Sequence, residues 1–165
     1  MNFHRIVVVV LCVLMTSCIS KWTNRNIADD LEDLDLETRE DERGLVVLLP
    51  DVFFEYGKFE LSKDAQDKIE RISELLNDEK AVERKILVEG HTDSHGSEEY
   101  NLELSRKRAE AVKSELMFGN VRPDRIETQW AGESKPMAAN ENPDGSDNPE
   151  GRQLNRRVEV VILNP

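Results

Sequence analysis

The residues best suited to chemistry lie in the segment 90–112, GHTDSHGSEEYNLELSRKRAEAV. Asp93 supplies a carboxylate in a short polar turn, and Arg108 supplies a guanidinium on the helix that is predicted to follow. A guanidinium fork suits bidentate binding of a carboxylate, and a nearby aspartate can hold an ammonium group. Placed side by side, the two residues would recognise the zwitterionic head group of an amino acid.

Arg108 lacks the partner that an arginine on a solvated helix usually has. Such an arginine commonly pairs with an acid three or four residues away. The residues at those distances carry no charge: Leu104, Ser105, Ala111 and Val112. Arg108 therefore needs a partner outside its own helix. Asp93 is one candidate, and a ligand carboxylate is the other.

A purely structural role is the first alternative to ligand binding. Asp93 would close an Asx-type turn with its own backbone, and Arg108 would only brace that turn. The spacing of the two residues is compatible with both roles, so both stay open at the level of the sequence.

A metal-dependent hydrolase is the second alternative. His91, Asp93 and His95 alternate along the chain and, in an extended segment, could converge on zinc with water as the fourth ligand. The Ser-His-Gly sequence at 94–96 favours a turn instead, and the remaining histidine, His4, lies in the N-terminal apolar segment. We therefore expect a binding protein without catalytic activity, metal or cofactor.

A strand and a helix must position the ionic pair. Charged and apolar residues alternate in 85–89, KILVE, which predicts a half-buried strand that ends at the turn. Gly96 can adopt a positive φ, and Ser97 can cap the helix that follows.

Successive residues of a helix are rotated by about 100°, so the helix after Ser97 is predicted to have two distinct stripes of residues. A narrow stripe faces the core and comprises Leu102, Ser105, Ala109, Val112 and Leu116. A second stripe lies at the border between core and solvent and comprises Asn101, Leu104 and Arg108. Arg108 is thus expected to be neither buried nor freely solvated.

The remaining patterns predict one α/β domain at 44–165. Further strands are expected at 45–54, 126–130 and 158–162, with a loop at 140–151 that is rich in Asn, Pro, Gly and Asp. Ser62 is expected to cap a helix that buries Ile69 and Ile72. The predicted fold is a two-layer α/β domain, in which helices cover one face of a mixed sheet of about four strands.

Residues 1–17 have the features of a secretory signal peptide. Arg5 precedes an apolar run at 6–15, which is too short for a permanent membrane span of about 20 residues. The chain has two cysteines, and none follows Cys18, so the exported part is expected to fold without an internal disulfide.

Residues 18–43 are rich in acids and are predicted to form a flexible linker before the domain. Fully extended, it would reach on the order of 80 Å. The helical spacing of Ile27, Leu31 and Leu34 leaves open a short partner-binding helix. The whole chain has a formal net charge of −12, so nucleic acid is not an expected partner.

The segment 90–112 resembles the signature of the OmpA C-terminal-like family, which includes the peptidoglycan-associated lipoproteins. The resemblance continues in VFFEYGKFELS (52–62), AGESKP (131–136) and NRRVEV (155–160), and covers about residue 45 to the C-terminus.

The resemblance implies non-covalent binding of peptidoglycan through the diaminopimelate residue of its stem peptide. The aspartate and arginine ligands of the family fall on Asp93 and Arg108, and supporting contacts fall on Asn101 and Leu104. The loop bounded by Phe54 and Lys58 is also implied to contact the ligand. This chain has Glu55 where the family often has aspartate.

Thr16, Ser17 and Cys18 resemble a lipobox, which implies that Cys18 becomes lipid-modified after removal of 1–17. Met15 departs from the aliphatic residue usual in that motif. Ile19 after the cysteine implies sorting to the outer membrane, with the domain in the periplasm. Peptidoglycan-associated lipoproteins also bind a periplasmic protein through the wall-binding surface, so an adaptor role is a further alternative.

Overall fold

The computed structural model describes residues 24–54, 58–79 and 81–165. Residues 24–32 are helical (α1). The other helices are α2 (Lys63–Asn77), α3 (Glu98–Phe118) and α4 (Pro149–Asn155). The strands are β1 (Thr38–Glu40), β2 (Gly44–Pro50), β3 (Ile86–His91), β4 (Ile126–Gly132) and β5 (Arg157–Leu163).

The strands form one mixed sheet in the order β1-β2-β5-β3-β4. The β3 and β4 strands are parallel, and the other neighbouring pairs are antiparallel. Helix α3 connects β3 to β4, as a parallel pair requires a crossover. The predicted two-layer α/β fold is confirmed, and the strand that the sequence analysis did not predict is β1.

One face of the sheet is covered by helices. Its inward residues pack against Ile27 and Leu31 of α1, and against the buried residues of α2 and α3, in a single hydrophobic core. A serine caps the N-terminus of each long helix. Ser62 accepts a hydrogen bond from Ala65 N, and Ser97 accepts one from Tyr100 N. These caps agree with the prediction.

The acidic segment 18–43 differs from the predicted flexible linker wherever the structure describes it. Ile27, Leu31 and Leu36 are at most 3% exposed and belong to the core. Arg39 and its neighbours in β1 pair with β2. Burial of these apolar side chains outweighs the charge of the segment, so the folded domain includes residues 24–43.

Four local predictions also differ from the structure. Residues 51–53 form a 3₁₀ turn and do not continue β2, because Pro50 ends the strand. The predicted loop at 140–151 ends earlier, where Asn148 caps α4. Leu102 is 37% exposed and lies outside the core. The strand β3 is buried along its whole length, including Glu89.

The sheet face opposite the helices contains a second, smaller cluster of Val46, Leu48, Leu87 and Val161. On the same face, charged side chains of β3 and β5 lie near the end of the sheet that carries the polar turn. None of the helices formed by the described residues has the length and apolar composition of a membrane-spanning helix.

Candidate functional site

Asp93 lies in the turn between β3 and α3, and its side chain closes that turn. Its Oδ1 accepts a hydrogen bond from His95 N at 3.0 Å, which is the Asx-type contact anticipated from the sequence. Asn101 Nδ2 donates to the carbonyl oxygen of Asp93 at 3.2 Å. Gly96 has φ +107°, a value that favours glycine. The turn is thus held to the first part of α3.

Arg108 is buried on α3, at 3% exposure, and not at the border with solvent as predicted. Its Nη2 lies 2.6 Å from Asp51 Oδ1, and its Nε donates to the carbonyl oxygen of Lys58 at 3.2 Å. The guanidinium carbon lies 4.8 Å from the centre of the Phe54 ring. Nη1 is buried and has no hydrogen-bond partner among the described residues.

Asp93 and Arg108 do not pair directly, but both belong to one ionic network. Arg156 connects them, since its Nη1 lies 2.7 Å from Asp93 Oδ2 and its Nε lies 3.1 Å from Asp51 Oδ2. Burial opposes the charge of Arg156, but the hydrogen bonds that it donates to Asp93 and Asp51 raise its pKa above the usual value. The two residues singled out from the sequence therefore lie on the same side of the molecule.

A third arginine reaches the same site from α4. Arg152 Nε lies 3.6 Å from Asp93 Oδ2, and the guanidinium also pairs with Asp147. Arg152 lies in α4, and Arg156 is the residue that follows the helix, so the end of α4 brings both arginines to Asp93. Three guanidinium groups surround the carboxylates of Asp51 and Asp93. Asp147 is a third carboxylate of this cluster, so the charges of the three guanidinium groups are balanced by three aspartates.

Asn101 and Leu104 lie on α3 beside this network. Asn101 is buried at 1% exposure, and its Nδ2 also donates to Glu133 Oε2 at 2.5 Å. Its amide therefore connects the Asp93 turn to the segment after β4. Leu104 is half-buried one helical turn before Arg108. Asn101, Leu104 and Arg108 were all predicted to lie at the border between core and solvent. Only Leu104 of these three does so, because Asn101 and Arg108 are buried.

The same arrangement of strands, turn and helix matches a known family. The OmpA family matches residues 53–149, which is more than half of the chain. The chain belongs to the OmpA family. The resemblance of the 90–112 segment to that family is thereby confirmed.

Several envelope proteins are similar to this OmpA-family chain. Outer membrane protein A of Bordetella avium is 34% identical over 119 residues, which cover 72% of this chain and 57% of that protein. A peptidoglycan-associated lipoprotein of Mesorhizobium japonicum is 32% identical over 134 residues, which cover 80% of this chain and 79% of that protein. The chain spans 14%, 57% and 32% of three of its curated relatives, and thus matches one part of each.

A solved structure with the same fold is the cell wall anchor of the T6SS from Pseudomonas aeruginosa. It superimposes with a TM-score of 0.67 and 25% sequence identity, covering 86% of this chain and 96% of that chain. The OmpA-like fold of the chain is therefore shared with an envelope protein that is described as a wall anchor.

The three residues of the metal hypothesis are not brought together in this OmpA-family domain. Among the described residues, the group with suitable ligand spacing is Glu89, His91 and Glu159. Asp93 instead binds Arg156, and His95 is exposed. The alternation of His91, Asp93 and His95 therefore does not produce the proposed zinc geometry.

In the group of Glu89, His91 and Glu159, both carboxylates form ion pairs with arginine or lysine side chains. Arg43 bridges the two glutamates, with distances of 2.9 Å to Glu89 and 2.8 Å to Glu159. Glu159 also pairs with Arg39 and Arg157, and Lys135 lies 2.5 Å from Glu89. A divalent cation would be repelled by these four positive charges. The cluster therefore holds the sheet and the β1 segment together.

Sequence reasoning missed Asp51, Arg152, Arg156 and Glu133 as members of the site. Arg156 lies within the NRRVEV segment that carries part of the family resemblance, but nothing in its local spacing indicates that it contacts Asp93. The predicted residues Phe54 and Lys58 do lie against Arg108, the latter through its backbone carbonyl. Glu55 and Cys18 lie outside the described residues.

Proposed function

We propose that this OmpA-family domain binds peptidoglycan non-covalently through the diaminopimelate of the stem peptide and tethers the envelope to the cell wall. The observation that carries the proposal is the guanidinium of Arg108. It is buried beside Asp51, yet its Nη1 has no hydrogen-bond partner among the described residues. A buried donor without an acceptor costs about 1–3 kcal/mol, so a ligand carboxylate that supplies the acceptor would bind favourably.

The free end of a diaminopimelate side chain carries a carboxylate and an ammonium group. We assign the carboxylate to Arg108 and the ammonium to Asp93. Asp93 uses one oxygen for His95 N and the other for Arg156, which leaves acceptor capacity because a carboxylate has about four lone-pair sites. Phe54 and Leu104 would supply apolar contacts, and Asn101 would hold the turn in place.

The names of two relatives support a wall-binding role for this domain. The Mesorhizobium japonicum relative is a peptidoglycan-associated lipoprotein, and the Pseudomonas aeruginosa structure is a cell wall anchor. The chain is thus similar to proteins named for their association with the cell wall, and we infer a binding role here. The feature that the proposal needs is the ionic site itself, which the described residues form.

We further propose that residues 1–17 are removed and that Cys18 is lipid-modified, so that the protein is anchored in the outer membrane with its domain in the periplasm. The similarity to outer-membrane proteins and lipoproteins supports this location. Replacing Cys18 by serine should move the protein out of the outer-membrane fraction. Retention of that variant in the membrane would contradict a lipid anchor at this residue.

Binding of two muropeptides tests the ligand assignment. The peptides differ only at the third residue of the stem, which is diaminopimelate in one and lysine in the other. Lysine lacks the side-chain carboxylate that Arg108 is proposed to bind, so the full-length protein should bind the diaminopimelate peptide at least about 100-fold more tightly, since an unsatisfied buried polar group discriminates strongly. Equal affinity for the two peptides would refute recognition of the zwitterionic end.

A further inference from the structure

A cavity of about 490 Å³ lies next to the ionic site, at the end of the sheet where β2 ends. Its apolar lining comes from Leu48 and Pro50 of β2, Phe53 of the 3₁₀ turn, Met137 and Leu154. Leu154 is 50% exposed and Met137 is 38% exposed, so the apolar surface is accessible from outside. The volume falls in the range of about 300–1,000 Å³ that is typical of ligand pockets.

Acidic side chains surround the apolar lining of this cavity. Asp35, Glu37 and Glu150 are exposed at its edge. No side chain in the described ranges forms an ion pair with any of these three carboxylates. The cation in the lining, Arg157, is already paired with Glu159 at 2.8 Å. The cavity therefore presents an apolar centre within an uncompensated negative rim.

We propose that this cavity binds a basic, amphipathic peptide segment of a partner protein. One large aliphatic or aromatic side chain would fill the apolar centre, as anchor residues do in protein interfaces. Lysine or arginine residues on either side of that anchor would face Asp35, Glu37 and Glu150. Complementary rim charges accelerate association and select against acidic partners.

The proposed peptide site is separate from the Asp93 and Arg108 site, although the two are connected by adjacent residues. Pro50 lines the cavity, whereas Asp51 belongs to the ionic network. Likewise Arg157 lines the cavity, whereas Arg156 binds Asp93. Because no residue is shared, a partner peptide and a wall fragment should bind at the same time.

A library of random peptides displayed on phage tests the proposal with the full-length protein as the target. Sequences selected on the protein should combine a large apolar residue with flanking lysine or arginine. Selected peptides are then synthesised and measured by fluorescence anisotropy. Selection of sequences without a basic bias, or of none above background, would overturn the charge argument.

Variants of the rim and the centre locate the binding surface. The Glu37→Gln/Glu150→Gln double variant should weaken binding about tenfold and reduce its salt dependence, because rim charges act through screened electrostatics. Leu154→Ser should weaken binding by a similar factor and leave the salt dependence unchanged. Glu127→Gln is the matched control, since Glu127 is exposed on β4 at the opposite edge of the sheet. Equal binding by all variants would exclude the cavity.

Competition distinguishes this site from the proposed wall site. A saturating muropeptide should leave the affinity for the selected peptide unchanged, and Arg108→Ala should do the same. Displacement of the peptide by the muropeptide would place the peptide on the ionic site and refute a separate cavity site. The outcome does not depend on which residue of the stem peptide the domain recognises.

Discussion

Asp93 and Arg156 form an ion pair of 2.7 Å that connects the turn after β3 to the start of β5. Arg156 binds Asp51 through a different nitrogen, so it also connects this turn to the 3₁₀ segment that contacts Arg108. The orientation of Asp93 is thus determined by a residue far away in the sequence. The proposed ligand would bind a site whose two ends are already held in fixed positions.

Replacing Arg108 by alanine should abolish co-sedimentation of the protein with isolated peptidoglycan. The variant lacks the buried guanidinium that is proposed to bind the ligand carboxylate, and Asp93→Ala should have the same effect through loss of the ammonium contact. Lys107→Ala is the control, because Lys107 is half-exposed and pairs with Glu103 on the same helix. Its binding should match that of the wild type.

Circular dichroism of the same variants distinguishes a ligand-binding role of Asp93 and Arg108 from a purely structural role. Asp51 keeps Arg156 as a partner in Arg108→Ala, so the fold should persist. Unfolding of the Asp93 or Arg108 variants would favour the purely structural role, and unchanged co-sedimentation of both would contradict the site.

Replacing Arg156 by lysine should weaken peptidoglycan binding about tenfold without preventing folding. Lysine keeps the charge but cannot donate from two fixed nitrogens to Asp93 and Asp51 at once. Arg122→Lys provides the control, because Arg122 is exposed and its ion pairs with Glu83 and Asp124 are 3.6 Å and 3.9 Å long. Wild-type affinity in Arg156→Lys would show that Asp93 needs no such positioning.

The elements around the site follow from local sequence, whereas its contacts do not. Ser62, Ser97 and Gly96 were predicted as caps and turn residues because their effects involve atoms a few residues away. The absence of an acid near Arg108 correctly indicated a partner outside α3. That partner is Asp51, which is paired through tertiary packing that no local pattern encodes.

The charge of the acidic segment 18–43 led to a wrong prediction, because part of this segment is the packed helix α1. Its acids suggested a solvated linker, but Ile27 and Leu31 are one helical turn apart and both enter the core. The helical spacing of these two residues is visible in the sequence. A helix this short is stable only when it packs against an apolar surface, and the local sequence does not show that the domain provides one.

Replacing Leu31 by alanine should destabilise the domain by about 3 kcal/mol, because Leu31 is fully buried and its truncation leaves a cavity. Chemical denaturation of the full-length protein measures this change. Glu32→Ala is the matched control on the next, exposed position of α1 and should change the free energy of unfolding by less than about 0.5 kcal/mol. An equally small effect of Leu31→Ala would restore the flexible-linker prediction.

The buried His91 should make the domain less stable as the pH falls from 7 to 5. Burial, followed by the positive charge of Arg157, lowers the pKa of His91 from 6.5 to about 4. Lys135 acts in the same direction, whereas Glu159 and Glu89 oppose it. The unfolded chain therefore binds a proton between these two values while the native state does not, so stability decreases as the pH falls through this window.

The expected loss between pH 7 and pH 5 is about 2 kcal/mol, taken from the two pKa values of His91. Glu159 does not contribute to this loss. Burial alone would raise its pKa, but Arg43 and Arg157 outweigh that effect and keep the pKa below 4.5. Its stabilising contribution is therefore lost only in more acidic solution.

The His91→Gln variant isolates the histidine, because glutamine is polar but does not titrate. The free energy of unfolding of wild type and variant is measured by denaturation at pH 7, 6 and 5. The variant should be less dependent on pH than the wild type across this interval, whatever its stability at pH 7. Parallel pH dependence in the two proteins would mean that His91 has the same pKa in the native and unfolded states and that another group carries the effect.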